Sequence, residues 1–160
     1  MSSSVRGRHA FASVMTVVGT GLMLACGCGG AGAQAADLGG RWMTFDADTG
    51  LKRSIVEIAH DESGYKGHIV EVYVEPDEPP DPICDVCRGT QHGQKIRGLE
   101  ILILRPGTNG AGYAGTILDP EEGRVYKCVA SISADGSRLV IRGYVGIPAL
   151  GRSVTWQRIE

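Results

Sequence analysis

The feature that most limits what this chain can become is the rhythm of its second part. From Gly40 onward, short apolar or alternating runs recur at regular spacing: "GRWMTF", "LKRSIVEIAH", "YKGHIVEVYV", "LEILILR", "YAGTILD", "RVYKCVASI", "RLVIRGYV" and "RSVTWQRI". Between them stand "DADTG", "DESG", "PGTNGAG", "PEEG" and "SADGS", rich in residues that supply positive φ or bond their own backbone in turns. No stretch keeps a helical period long enough to compete. The expected fold class is therefore all-β: an antiparallel eight-stranded meander. Closure into an up-and-down barrel is favoured over a sandwich, because it removes edges that a run such as "LEILILR" would leave open to pairing with other chains. A barrel of about eight strands is either filled by side chains or holds one small ligand.

The ends of this region support closure. Gly40-Arg41-Trp42 opens the first strand and Trp156-Gln157-Arg158 lies in the last. Where the two strands meet, an indole packed against an arginine makes a cation–π contact of about 0.5 to 2 kcal/mol. The competing reading is plain core packing of Trp42 and Trp156.

The N-terminus stands outside this pattern. Arg6, Arg8 and His9 precede an uncharged apolar run, Phe11 to Ala25, and then small residues. That is the layout of a secretory signal peptide, and the run is too short for a comfortable membrane span. Ala33-Gln34-Ala35 fits the small-x-small cleavage rule, so residues 1–35 read as a cleaved signal peptide and residues 36–160 as a single domain. A rival reading takes "MLAC" as a lipoprotein signal with Cys26 lipidated. Every acidic residue lies in the mature part, so it is more acidic than the formal net charge of −2. No basic stripe exists to neutralise phosphates, which disfavours a nucleic-acid partner.

Gly40-x-Trp42 resembles the opening motif of lipocalin and calycin barrels. A longer series, "GRW", "DTG", "SIVEI", "PICDVCRG", "GL", "ILDPEEGRVY", "DG", "IRGYVG" and "GRSVTW", runs in order from Gly40 to Arg158. It resembles the exported bacterial domain of unknown function family number 2147. The resemblance implies a lipocalin-like barrel outside the cytoplasm, and it implies no activity. The chain departs from that pattern at Tyr113-Ala114-Gly115, where a tryptophan is expected before the glycines, and at Ser153, where a threonine is expected.

Cys84-Asp85-Val86-Cys87 sits in a long connection from Glu75 to Arg97. A thioredoxin-like centre needs its first cysteine at a helix N-terminus in a βαβ setting, and Pro82-Ile83 in a loop between strands does not provide one. Cys84, Cys87, His92 and Cys128 would make a tetrahedral zinc set, but a second CxxC or paired-histidine motif is missing. The preferred reading is a staple, Cys84 to Cys87 or the loop to Cys128, ordering the connection in an oxidising compartment. If Cys128 faces the interior it is a small buried hydrophobe.

Glu71, Glu75, Asp77, Glu78, Asp81 and Asp85, broken by prolines, read as a solvated extended loop rather than a cation site. No Gly-x-Ser-x-Gly elbow appears, and no motif links His60, His68 or His92 to a nucleophile. Asp119 is placed to bond turn amides. Glu57 and Arg142 are the charges that strand alternation would have to point inward for a polar site; otherwise both face water.

The function expected is that of an exported, non-enzymatic barrel without a cofactor, binding a small apolar or amphipathic ligand at an open end that the cysteine loop covers. An aromatic content of 6% favours the opposite case, a filled interior. The alternative is a structural or protein-interaction module of the periplasm or cell envelope, working through the apolar loop Gly143 to Ser153 with Ile147 and Leu150. A metal- or thiol-dependent protein is the third reading.

Overall fold

The computed structural model describes residues 37–107 and 112–160; the expected signal peptide and Cys26 lie outside the described residues. Eight strands follow one another: β1 (Gly40–Phe45), β2 (Lys52–Asp61), β3 (Gly64–Val72), β4 (Glu100–Pro106), β5 (Tyr113–Asp119), β6 (Arg124–Ile132), β7 (Arg138–Tyr144) and β8 (Arg152–Arg158). Each pairs antiparallel with the next, and β1 pairs with β8, closing the barrel. The closed up-and-down barrel expected from the strand rhythm is the fold observed.

Period-two alternation builds the interior. Trp42, Val56, Ile58, Ile69, Leu102, Leu104, Tyr113, Ala130, Leu139, Ile141 and Trp156 are all at most 6% exposed. Each such large side chain contributes about 1.5 to 3 kcal/mol by leaving water. At this level the packing has no slack. A Cβ on Gly67 would lie 2.9 Å from the Cβ of Leu102 and 3.1 Å from Val56, so only glycine lets β2, β3 and β4 converge there.

One end is sealed by the first residues described. Leu38 is fully buried, and its carbonyl accepts from Trp42 Nε1 at 2.9 Å. Arg158, paired with Trp42 across the seam, lies over its ring at 4.2 Å. The guanidinium also donates to the carbonyls of Asp37 (2.7 Å), Gly39 and Gly136 (2.8 Å). Trp156 takes no part in this stack and packs in the core at 4% exposure.

The β1–β8 ladder has two paired positions, Trp42 with Arg158 and Met43 with Gln157. The β2–β3 ladder has eight, Ser54 to Asp61. Two local features differ from the sequence expectation. β3 starts at Gly64 and ends at Val72, so the following connection runs from 73 to 99 rather than from Glu75 to Arg97. Two 3-10 turns, Gly89–Gln91 and Pro148–Leu150, interrupt connections expected to be irregular.

Candidate functional site

The connections β1–β2, β3–β4, β5–β6 and β7–β8 gather at the end opposite the Trp42 seal and form the mouth. Toward this end the inner wall changes character. Val72, Ile117, Tyr126, Gly143 and Val154 continue the inward-facing rows, yet all are only part-buried. Near the mouth the inner wall is therefore less completely buried than the floor. A Cβ on Gly143 would stand 3.7 Å from both Ile117 and Tyr126, an ordinary contact, so this glycine leaves room where Gly67 does not.

Few polar groups enter this wall. Thr44 Oγ1 and Ser54 Oγ share a hydrogen bond of 2.8 Å and are 8% exposed, so each hydroxyl satisfies the other. Tyr126 donates its hydroxyl to Glu122, and Arg124 stands 5.9 Å from the Tyr126 ring centre. The Glu122 bond, followed by burial, raises the Tyr126 pKa. Asp119 Oδ1 accepts from the amides of Glu121 (2.9 Å) and Glu122 (3.2 Å), fixing the β5–β6 turn.

The long connection is tied to both sides of the mouth. Arg53 Nη1 donates to both Glu78 carboxylate oxygens at 3.1 Å, and Nη2 donates to Glu121 at 2.8 Å. Cys84 N–H donates to Gln94 O at 2.8 Å, and Gly98 N–H to Ile69 O at 2.7 Å. A Cβ on Gly123 would meet Val86 O at 2.1 Å, so the connection lies directly on the β5–β6 turn. No local sequence signal marks this brace, since its charges are 25 and 68 residues apart.

Cys84 and Cys87 form a disulfide, with Cα atoms 5.3 Å apart, and both are buried. Cys128 is free and 1% exposed in β6. Burial pushes its thiol up to about 12, against a smaller pull from the Gly115 amide. His92 Nδ1 lies 3.2 Å from Cys87 O. Among the described residues no three His, Cys, Asp or Glu side chains are brought together as metal ligands, and Cys84, Cys87, His92 and Cys128 do not form such a set.

Several other candidates lie away from the lumen. Glu57 is exposed. Arg142 points neither inward nor to open water: it donates to Pro148 O (2.6 Å), Ala149 O (2.9 Å) and Ser153 Oγ (3.0 Å), holding the β7–β8 loop. Tyr113, in the segment that departs from the family pattern, is 6% exposed and meets Tyr65 edge-on at 5.5 Å, on the floor at the sealed end. Two solvent-open depressions, about 550 and 570 Å³, lie near Arg158 and beside Leu51 and Val74.

Residues 40–158 match the family described as an uncharacterized protein conserved in bacteria (DUF2147). The chain belongs to DUF2147. A solved structure shows the same fold for this DUF2147 protein: "Protein HP1028 from the human pathogen Helicobacter pylori belongs to the lipocalin family", at a TM-score of 0.63 and 16% identity, covering 78% of this chain and 84% of that one. Comparison with curated proteins gives no match. At that identity the likeness speaks for the barrel alone.

Proposed function

We propose that this DUF2147 protein is an exported, non-enzymatic barrel that binds a small apolar or amphipathic ligand at its mouth. The observation that carries the reading is the part-exposed inner wall of Val72, Ile117, Tyr126, Gly143 and Val154 above a close-packed floor. Such sites bind through apolar wall with a few placed polar groups. Here the Tyr126 hydroxyl and the Thr44–Ser54 pair supply them. The braced connection across the rim limits entry from solvent. Export is supported by the Cys84–Cys87 disulfide, a bond that persists in oxidising compartments. Thiol catalysis is disfavoured, because the free thiol is buried and held protonated.

Native mass spectrometry of protein purified from its own host, paired with displacement of a fluorescent fatty acid, tests the reading. A co-purifying small molecule that the probe displaces is the expected result. Repeated preparations with no bound molecule and no probe binding would overturn it. The rival reading, a filled barrel acting through its surface, is favoured by the exposure of Val145, Ile147 and Leu150 in the β7–β8 loop.

A further inference from the structure

Apolar side chains on the outside of this barrel are not spread evenly. Val145, Ile147 and Leu150, all in the β7–β8 loop, are 69%, 57% and 79% exposed. Val125, at the mouth end of neighbouring β6, is 58% exposed. The loop is not slack. Arg142 holds two of its carbonyls, Leu150 N–H donates to Ile147 O at 3.2 Å, and Gly151 N–H donates to Pro148 O at 3.0 Å. A Cβ on Gly151 would lie 2.4 Å from Gly143 O, so the loop is seated against the end of β7. The apolar tips are thus presented by a rigid projection, and water reaches them at a cost the fold does not recover elsewhere.

Cations outnumber carboxylates around this projection. Arg142 and Arg152 flank the loop and β6 brings Arg124 and Lys127 to the mouth end, while residues 136–159 and β6 hold no carboxylate; Arg138 and Arg158 lie toward the sealed end. Lys127 is opposite Tyr144, and Arg152 is opposite Gly143, beside the loop. Among the described residues, Arg124, Lys127 and Arg152 enter no ion pair. Of the carboxylates in the adjoining β5–β6 turn, Glu121 is ion-paired with Arg53, while Asp119 on turn amides and Glu122 on the Tyr126 hydroxyl keep their charge against the four cations Arg124, Lys127, Arg142 and Arg152. Other exposed apolar residues of the mouth, Leu51, Val74, Ile83 and Val86, stand among Asp46, Asp48, Glu75, Asp77, Asp81 and Asp85 and would be repelled by an anionic surface.

We infer that the β7–β8 corner of the mouth is a docking site for an anionic lipid surface. Val145, Ile147 and Leu150 enter the headgroup and acyl boundary, and Arg124, Lys127 and Arg152 meet lipid phosphates behind them. Apolar tips backed by cations are the order of groups that an anionic interface takes. This inference stands independently of the lumen ligand.

The test is co-sedimentation of the full protein with phosphatidylglycerol–phosphatidylcholine vesicles and with pure phosphatidylcholine vesicles, at low and high salt. Two variants are compared with it: Ile147→Ser with Leu150→Ser, and Arg124→Gln with Lys127→Gln and Arg152→Gln. Partition into the anionic vesicles alone is expected, falling roughly fivefold for each cation removed and lost in the serine variant, with thermal melts unchanged. A Leu150→Trp reporter is expected to shift to the blue on the same vesicles, which an anchor elsewhere in the chain would not cause. Equal binding to both vesicle types, binding indifferent to both variants, or an unshifted reporter would overturn the inference. So would self-association or capture of another protein that the serine variant abolishes while vesicles remain unbound.

Discussion

Arg53 and Glu121 are joined at 2.8 Å although β3 and β4 stand between their elements around the wall. The same guanidinium holds Glu78, so a single cation ties β2, the long connection and the β5–β6 turn together. Burial opposes the charge on Arg53, but Glu78 and Glu121 more than compensate and raise its pKa.

Replacing Arg53 by Met should free the connection without unfolding the barrel. Part-exposed pairs of this kind contribute about 0.2 to 1 kcal/mol each, so the loss in global stability is small. The larger effect is local: amide exchange at Cys84 and Gly98, whose N–H groups are bonded within and beneath the connection, should accelerate while that of β7 stays unchanged.

Acid should undo the same brace. Glu78 has its carboxyl pKa held below the ordinary 4.5, first by the Glu75 amide and then by Arg53. A depressed folded-state pKa means the stabilisation is complete above 4.5 and disappears as pH falls through the lower folded value. Urea midpoints of the wild type and Glu78→Gln should therefore differ near neutral pH and converge in acid.

Gly40→Ala should damage the sealed end. Gly40 has φ +124°, and a Cβ there would lie 2.5 Å from Glu160 O and 2.7 Å from Arg158 Nη1. Backbone strain together with displacement of the arginine predicts a loss of about 2 kcal/mol or more, read from denaturant unfolding.

Gly143→Val is the complementary test of the mouth. The new Cβ meets Ile117 and Tyr126 at ordinary contact distance and two methyls are added beyond it, so the loss of stability should stay within the roughly 1 to 3 kcal/mol of a small-to-large change. Binding of the fluorescent fatty acid should be lost, because the space at the wall is then occupied.

Cys84→Ser with Cys87→Ser should cost about 2 kcal/mol, the chain-entropy value for so short a ring. Peptide mapping after thiol labelling should find Cys128 unmodified in the native protein and modified after denaturation, as its burial and raised pKa require.

What the sequence made legible follows from which forces are local. Period-two runs and turn residues specify strands residue by residue, so the barrel and its order were readable from Gly40 to Arg158, and Trp42 with Arg158 marked the two strands that meet. The Arg53 brace was not readable, because nothing near Arg53 in sequence anticipates Glu121. Strand alternation offers Arg142 only lumen or water; it instead satisfies carbonyls of a 3-10 turn, an element too short to leave a periodic signal. Gly143 was hidden for another reason: whether a glycine marks crowding, as Gly67 does, or leaves space depends on neighbours from other strands.

The short β1–β8 seam has one more consequence, for chain connectivity. Arg41 N–H donates to Glu160 O at 3.0 Å and Ile159 N–H to Arg41 O at 2.9 Å, so the first strand and the last residues are immediate neighbours. Every other ladder joins strands consecutive in the chain. A circular permutant of residues 37–160, with Asp37 and Glu160 joined by a short glycine linker and new termini cut in the Ala134–Asp135 turn, would keep all eight pairings. The weakest ladder would then become an ordinary hairpin, and the order of the genetic reading frame would cease to matter to the barrel.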